Sequence, residues 1–587
     1  MKKRSEIEDK YKWDLSDYVK DEDELQANLK YLKQNVLQFK NFYGKLTDKN
    51  VLKKYIEQSE KYEDLLLRNY EYVALNLQVD TSNVKYLALE QMFDSVLQQY
   101  NEITSFVEPQ MMDFSNEYLN DLIKDPELKD YDIVFKNILR GNAHKVGEKE
   151  MEILSKMSEF LGNDGNVFHI LTNGELYFED ALDSDGKNHE VDDATYGRLM
   201  ENSDRVLRKN AYKSRMKEYK GKNKTLASLY INNIKGDIFS ARLAKFDGVR
   251  QERMFGEQVD EKVYDILLKN INSRLNIMHK IIDMKSKYLN IPDFANYDFM
   301  AKKSNLKKDY SIETSIKILK DCVKILGGDY QSKVDYLLNS NAIDWLPNEN
   351  KNSGGFSVDL YSCLPVILLN HINTYWCLNA LVHEIGHSVH ALYTFQNQPR
   401  AKGESSVFVA EVASTVNEIL LNLHLSKNAD KDEKDDLAFE LFNNLMSAVF
   451  IQTMYSEFED YTYHQLESNK PLTYQECNDK WFELCKKYYG NKIILSDEMR
   501  YGWSRIPHFY NAFYVYKYAT GFISALCIVQ NLLEDAQYYK EYINFLKSGC
   551  SKPPVELLQD IGVDLTTDEP YIKAFKFIEN LINQINL

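Results

Sequence analysis

The stretch WCLNALVHEIGHSVHALY, residues 376–393, decides how this chain is read. At about 100° per residue, Leu378, Leu381, Val382, Ile385, Val389 and Leu392 fall on one stripe, and His383, His387 and His390 fall opposite it. The spacing predicts a helix with an apolar face on a core and its histidines turned away from that core. His383 and His387 are one turn apart, so both imidazoles can reach one Zn²⁺ at about 2.0–2.1 Å. Glu384 sits roughly 100° further round, beside such an ion and awkward as a third ligand, where a base acting on water is needed. Gly386 costs about 1 kcal/mol relative to alanine in a helix interior, which implies that something approaches that face closely. A solvated, histidine-rich face is the plainer alternative, but H-E-x-x-H on an amphipathic helix favours metal binding. His390 is expected to make a structural hydrogen bond rather than to ligate.

A catalytic zinc site takes three protein ligands and leaves one position open. Downstream, SSVFVAEVASTVNEILLNLH (405–424) predicts a second amphipathic helix, with Val412, Val416, Ile419, Leu420 and Leu423 on its core stripe. Glu411 and Glu418 stack on its flank, and either can supply the third ligand. The small residues Ala410, Ala413 and Ser414 allow another backbone to come close, which favours Glu411.

The rest of the chain sets the frame. Its 587 residues are too many for one ordinary core, so two or more packed units are expected. A formal charge of −17 repels phosphate backbones and anionic lipid, which argues against a nucleic-acid partner. The charged N-terminus MKKRSEIEDKYKWD never opens into an apolar h-region, so export by that route is not expected. The longest apolar stretch, YATGFISALCIVQNLL (518–533), falls short of the ~20 residues that cross a bilayer. Seven scattered cysteines lack zinc-type spacing and read as reduced, mostly buried thiols of a cytoplasmic protein.

Apolar residues at three- and four-residue spacing, as in LQANLKYLKQNVLQF (25–39) and EILSKMSEFLGN (152–163), make the class mainly α. ELYFEDALDSDGKNHEV (175–191) breaks the rhythm and predicts a small hairpin. It is no calcium loop, because Gly186 falls fourth rather than sixth when Asp183 is first. The expected organisation is an N-terminal helical domain with that hairpin over 1–190 and a catalytic domain over 191–587. A strand-like run, GGFSVDLYSCLPVILLNH (354–371), immediately precedes the histidine helix.

ALVHEIGHSVH (380–390), FVAEVASTVNE (408–418) and RIPHFYNAFYVYKYATG (505–521), with ENSDRVLRKNAYKSRMKEYKGKNKTLA (201–227), closely resemble the oligoendopeptidase F group of the thimet-oligopeptidase-like (M3) zinc metallopeptidases. The likeness runs from about residue 170 to near 580, and the first 110 or so residues match only in length and helical character. It implies a largely helical ellipsoid with a deep central channel between two halves and a zincin-like core with a small β-sheet. By resemblance, one Zn²⁺ is held by His383, His387 and Glu411, Glu384 is the general base, and Glu418 orients a ligating imidazole. His508 and one tyrosine of its cluster would steady the oxyanion, with Tyr516 favoured, Tyr514 next and Tyr510 third. The activity implied is cleavage of internal bonds in short unstructured oligopeptides. LPVILLNH (364–371) is expected to form a sheet edge where such a peptide can add as a strand; a purely structural strand is the alternative. A zinc carboxypeptidase of related fold, or a non-catalytic peptide-binding protein with a structural zinc, are the competing readings.

Overall fold

The computed structural model describes residues 2–147, 163–302 and 309–585; the helix expected over 152–163 lies almost wholly outside them. Helices dominate, and those used below are α1 (Glu22–Asn35), α2 (Lys49–Val79), α3 (Val84–Thr104), α4 (Arg205–Leu243), α5 (Tyr375–Asn397), α6 (Val407–Asn428), α7 (Gln452–Glu467) and α8 (Tyr516–Glu534). Five short strands accompany them: β1 (Ala181–Leu182), β2 (Asn188–His189), β3 (Ile343–Asp344), β4 (Phe356–Val358) and β5 (Val366–Leu368).

The chain packs as two units, and neither follows the boundary expected near residue 190. One comprises Met1–Lys145, Lys308–Leu421 and Asp535–Lys552, the other Val146–Lys307, Asn422–Glu534 and Pro553–Leu587. Each is assembled from three separated stretches, so a linear cut cannot separate them.

In the first unit, side-chain caps start the leading helices: Asp21 accepts from the Glu24 amide, Asp48 from Asn50 and Val51, and Asn83 from Lys85 and Tyr86. Leu25, Leu29 and Leu32 of α1 bury their predicted stripe. Phe39 and the stacked pair Tyr62–Tyr100, 4.9 Å between centroids, fill the space between α2 and α3. The three-stranded sheet runs β3-β5-β4, with β3 parallel and β4 antiparallel to β5. The strand of LPVILLNH is therefore the central one, paired on both sides, and not the edge. Its all-apolar run explains this: Val366, Ile367 and Leu368 are fully buried, Val366 and Leu368 in a cluster with Trp13, Leu15, Tyr18, Leu75 and Val79. The edge that meets α5 is β4.

In the second unit the predicted hairpin forms, β1 antiparallel to β2 with Ala181 opposite His189 and Gly186 in the left-handed region at φ 79°. Asp204 caps the 39-residue α4. Within its first turn Arg208, 1 % exposed, donates to the buried Asp298 at 2.7 Å, a carboxylate also held by Arg205. All seven cysteines are free thiols, six of them buried. No helix among the described residues is long and apolar enough to cross a membrane.

Candidate metal centre

Thr374 caps α5 by accepting from the Cys377 amide. The predicted stripe is buried throughout, from Leu378 to Leu392. On the opposite side the histidines part company. His383 and His387 stay half-buried. His390 does not face away from the core: it is 5 % exposed, because the returning segment 535–552 lays Phe545 on its ring at 5.9 Å, and Ser405 Oγ lies 3.2 Å from its Nε2. Burial lowers its pKa to about 4, so it is a neutral packed imidazole.

The third group arrives from α6. His383 Nε2, His387 Nε2 and Glu411 Oε2 form a triangle with sides of 3.2, 3.5 and 3.5 Å. Among the described residues these three make up the cluster able to hold an ion. Ligands placed tetrahedrally at zinc-to-nitrogen and zinc-to-oxygen bond lengths are ~3.3–3.4 Å apart, so the donors present fit such an ion. Glu411 is drawn below the ordinary carboxylate range, to about 2, by its bond to His387 against the cost of burial.

Close packing of the two helices sets this triangle. A Cβ added at Gly386 would lie 2.7 Å from the Ser414 Cα and 3.0 Å from the Ala413 carbonyl oxygen. The glycine thus admits the α6 backbone one turn past Glu411, as its position in the motif implies. Seven residues on, Glu418 Oε1 lies 2.7 Å from His383 Nδ1. That bond places the ring proton on Nδ1 and leaves the Nε2 lone pair toward the triangle. Burial alone would lower the His383 pKa, but the Glu418 bond and charge outweigh it and raise it to about 9, so an ion held by Nε2 takes the place of a proton there.

Glu384, 8 % exposed, stands beside the triangle. Burial raises its carboxyl pKa, while a main-chain hydrogen bond from Ser357 of β4 and the two imidazoles work against the rise. Ser357 Oγ also pairs with Ser388 Oγ of α5 at 2.8 Å. The edge strand is thereby fastened to the metal helix at its glutamate and again one turn further on. Sequence reasoning missed Ser357 and Ser388; a serine directly after the second histidine carries no signal of its partner.

The C-terminal cluster lies in the second unit. His508 is half-buried, which lowers its pKa and keeps its imidazole neutral at pH 7. Its Nε2 is 3.2 Å from the Tyr518 hydroxyl, and the Tyr514 ring stacks on it at 6.0 Å. Tyr516 does not join them. It opens α8 fully buried, its ring 5.4 Å from that of Tyr264 and its hydroxyl 3.4 Å from Glu257 Oε2. Successive side chains of a starting helix point about 100° apart, so a chain that turns Tyr514 and Tyr518 to His508 turns Tyr516 inward. Tyr510 packs its ring on Phe168 at 4.6 Å.

Two helical imidazoles and a carboxylate from the next helix can hold a metal ion, with a shielded glutamate beside them, and similarity to known proteins gives the class, a metallo-endopeptidase. Residues 198–577 match the sequence model of peptidase family M3 and residues 110–178 that of oligopeptidase F. The chain belongs to peptidase family M3. It is 32 % identical to oligopeptidase PepF of Bacillus subtilis, over 99 % of this chain and 88 % of that protein. To the group B oligopeptidase PepB of Streptococcus agalactiae it is also 32 % identical, over 100 % and 98 %. The crystal structure of oligoendopeptidase-F from Enterococcus faecium superposes with a TM-score of 0.72 at 25 % identity, covering 96 % of this chain and 98 % of that one. A Chlamydophila abortus crystal structure reaches 0.93 at 29 % identity, covering 100 % and 99 %. The likeness therefore extends through the first 110 residues, which carry no recognisable motif.

Proposed function

We propose that the chain is a zinc-dependent endopeptidase that cleaves internal bonds of short, unstructured oligopeptides, with Glu384 as its general base. The observation that carries this is the donor triangle of His383, His387 and Glu411, with a buried carboxylate beside it. A zinc ion bound there supplies Lewis-acid chemistry, polarising a carbonyl and making water acidic near neutral pH. Glu384 takes the proton of the attacking water and passes it to the leaving amine. Burial raises its pKa, which makes it a stronger base than an exposed glutamate. The Ser357 amide holds the carboxylate in place for them, and Glu418 fixes the His383 ring.

An extended peptide lying beside β4, whose partner among the described strands is β5 alone, would reach Glu384 through main-chain pairing. Such pairing accepts many sequences. By the family resemblance, His508, neutral at pH 7, has the role of oxyanion donor. Tyr514 stacked on it is better supported as the phenolic donor than Tyr516, whose hydroxyl is committed to the interior by Glu257. Free thiols support a cytoplasmic setting.

The test is turnover of an internally quenched, blocked-end peptide with and without a chelator, with masses of the products. Internal cuts that stop on chelation and resume with zinc are expected. Chelator-resistant turnover, or release of terminal residues only, overturns the proposal.

A further inference from the structure

His508 and Tyr514 face each other only because the chain between them doubles back. Asn511 N–H bonds to the His508 carbonyl at 2.9 Å, and Phe513 then adopts φ 54°. That is left-handed backbone, which a bulky residue rarely takes and glycine would take without penalty. Phe513 is 2 % exposed, its ring packed on Tyr463 at 5.0 Å and Tyr264 at 5.9 Å. Its amide donates to Glu459 Oε1 of α7 at 2.8 Å.

Glu459 is itself out of the ordinary. It is 1 % exposed, and its second oxygen has no hydrogen-bond partner among the described residues. Burial pushes its carboxyl well above the usual range, helped by Asp237 and Asp460 and opposed by the Phe513 amide bond and by Arg253. Two costly features, a left-handed phenylalanine and a buried, half-satisfied carboxyl, thus meet in one hydrogen bond. Strain of this kind persists where the surroundings over-determine it, and it concentrates at functional sites. What the bond fixes is the return of the chain toward His508.

We propose that Glu459 is a positioning residue, whose side-chain oxygen holds the Phe513 amide so that the left-handed turn brings Tyr514 onto His508. This rests on the reading of His508 as an oxyanion donor. Glu459 touches no reacting atom, and its action is to keep the donor pair assembled. An amide oxygen can do the same, so Glu459→Gln keeps the clamp, whereas Glu459→Met fills the space and removes the acceptor.

The experiment compares kcat, KM and bound zinc for the wild type, Glu459→Gln, Glu459→Met and, in parallel, His508→Ala. Expected are kcat within twofold for Gln and at least tenfold lower for Met, with KM within twofold and zinc unchanged. Equal kcat for Gln and Met overturns the proposal, as does a Met variant whose loss lies in KM or zinc content. Should the Met variant not fold, Gln decides: kcat within twofold upholds the clamp, and a tenfold fall with zinc retained overturns it. If His508→Ala itself keeps kcat within twofold, the catalytic reading of His508 fails and the Glu459 proposal with it. A tenfold fall for His508→Ala beside an unaffected Met variant removes Glu459 alone.

Discussion

The Cα of Ser414 occupies the place beside Gly386 where a side chain would begin, 2.7 Å from the missing Cβ. The obstacle is backbone, so it cannot rotate away, and relief requires α5 and α6 to separate. Glu411 would move with α6. Gly386→Ala is therefore expected to weaken metal affinity at least tenfold and to lower stability by about 1–3 kcal/mol, the usual cost of overpacking. Chelator competition and chemical unfolding measure the two; unchanged affinity would show that Glu411 is placed by something else.

Glu418→Ala leaves His383 Nδ1 without the carboxylate that sets its tautomer. Metal affinity should fall ~10–100-fold, as for other second-layer partners of ligating histidines. Glu418→Gln still offers an acceptor oxygen and should lose much less. Chelator competition orders the three proteins, and equal affinities would discard the role.

Glu384→Gln keeps the size and the Ser357 contact but cannot accept the proton. It should retain one zinc per chain and lose turnover ~10²–10⁴-fold, the range for a general base. A variant that still cleaves a quenched peptide near the wild-type rate would take Glu384 out of the mechanism.

Lys285 offers a pH test of the fold away from the metal. It is 3 % exposed, held by the Phe299 carbonyl and by Asn443 Oδ1 at 2.7 Å, and burial lowers its pKa from 10.5 to about 7. Between those values the unfolded chain carries a proton there that the folded chain does not, so the lysine's contribution to stability rises with pH across that window. Relative to Lys285→Met, the wild type should gain up to about 1.4 kcal/mol per pH unit from pH 7 to 9. Urea unfolding at pH 7, 8 and 9 checks this, and a flat difference contradicts it.

What the sequence made legible was whatever local periodicity encodes. The α5 stripe, the paired histidines and the hairpin at Gly186 all follow from spacing within a turn or two. The preference for Glu411 over Glu418 came from small neighbours, a packing cue that the Gly386 contact explains. Placement by distant chain was not legible. His390 reads as outward-facing until Phe545, more than 150 positions later, covers it. LPVILLNH looks like a free edge until β3 and β4 pair on its two sides. Ser357 and Glu459 become informative only when the partner across the fold is known, and the tyrosine beside His508 depends on where α8 begins.

The threading of three stretches into each unit has a consequence during synthesis. The cover on His390 and the brace at Thr394, whose hydroxyl donates to the Leu546 carbonyl at 2.9 Å, are built from residues some 150 positions downstream of the metal helix. A ribosome-bound chain that has already exposed its H-E-x-x-H helix still lacks the backing that seals it. The metal helix thus gains its backing only after residues 535–552 have been made, however early its own turns form.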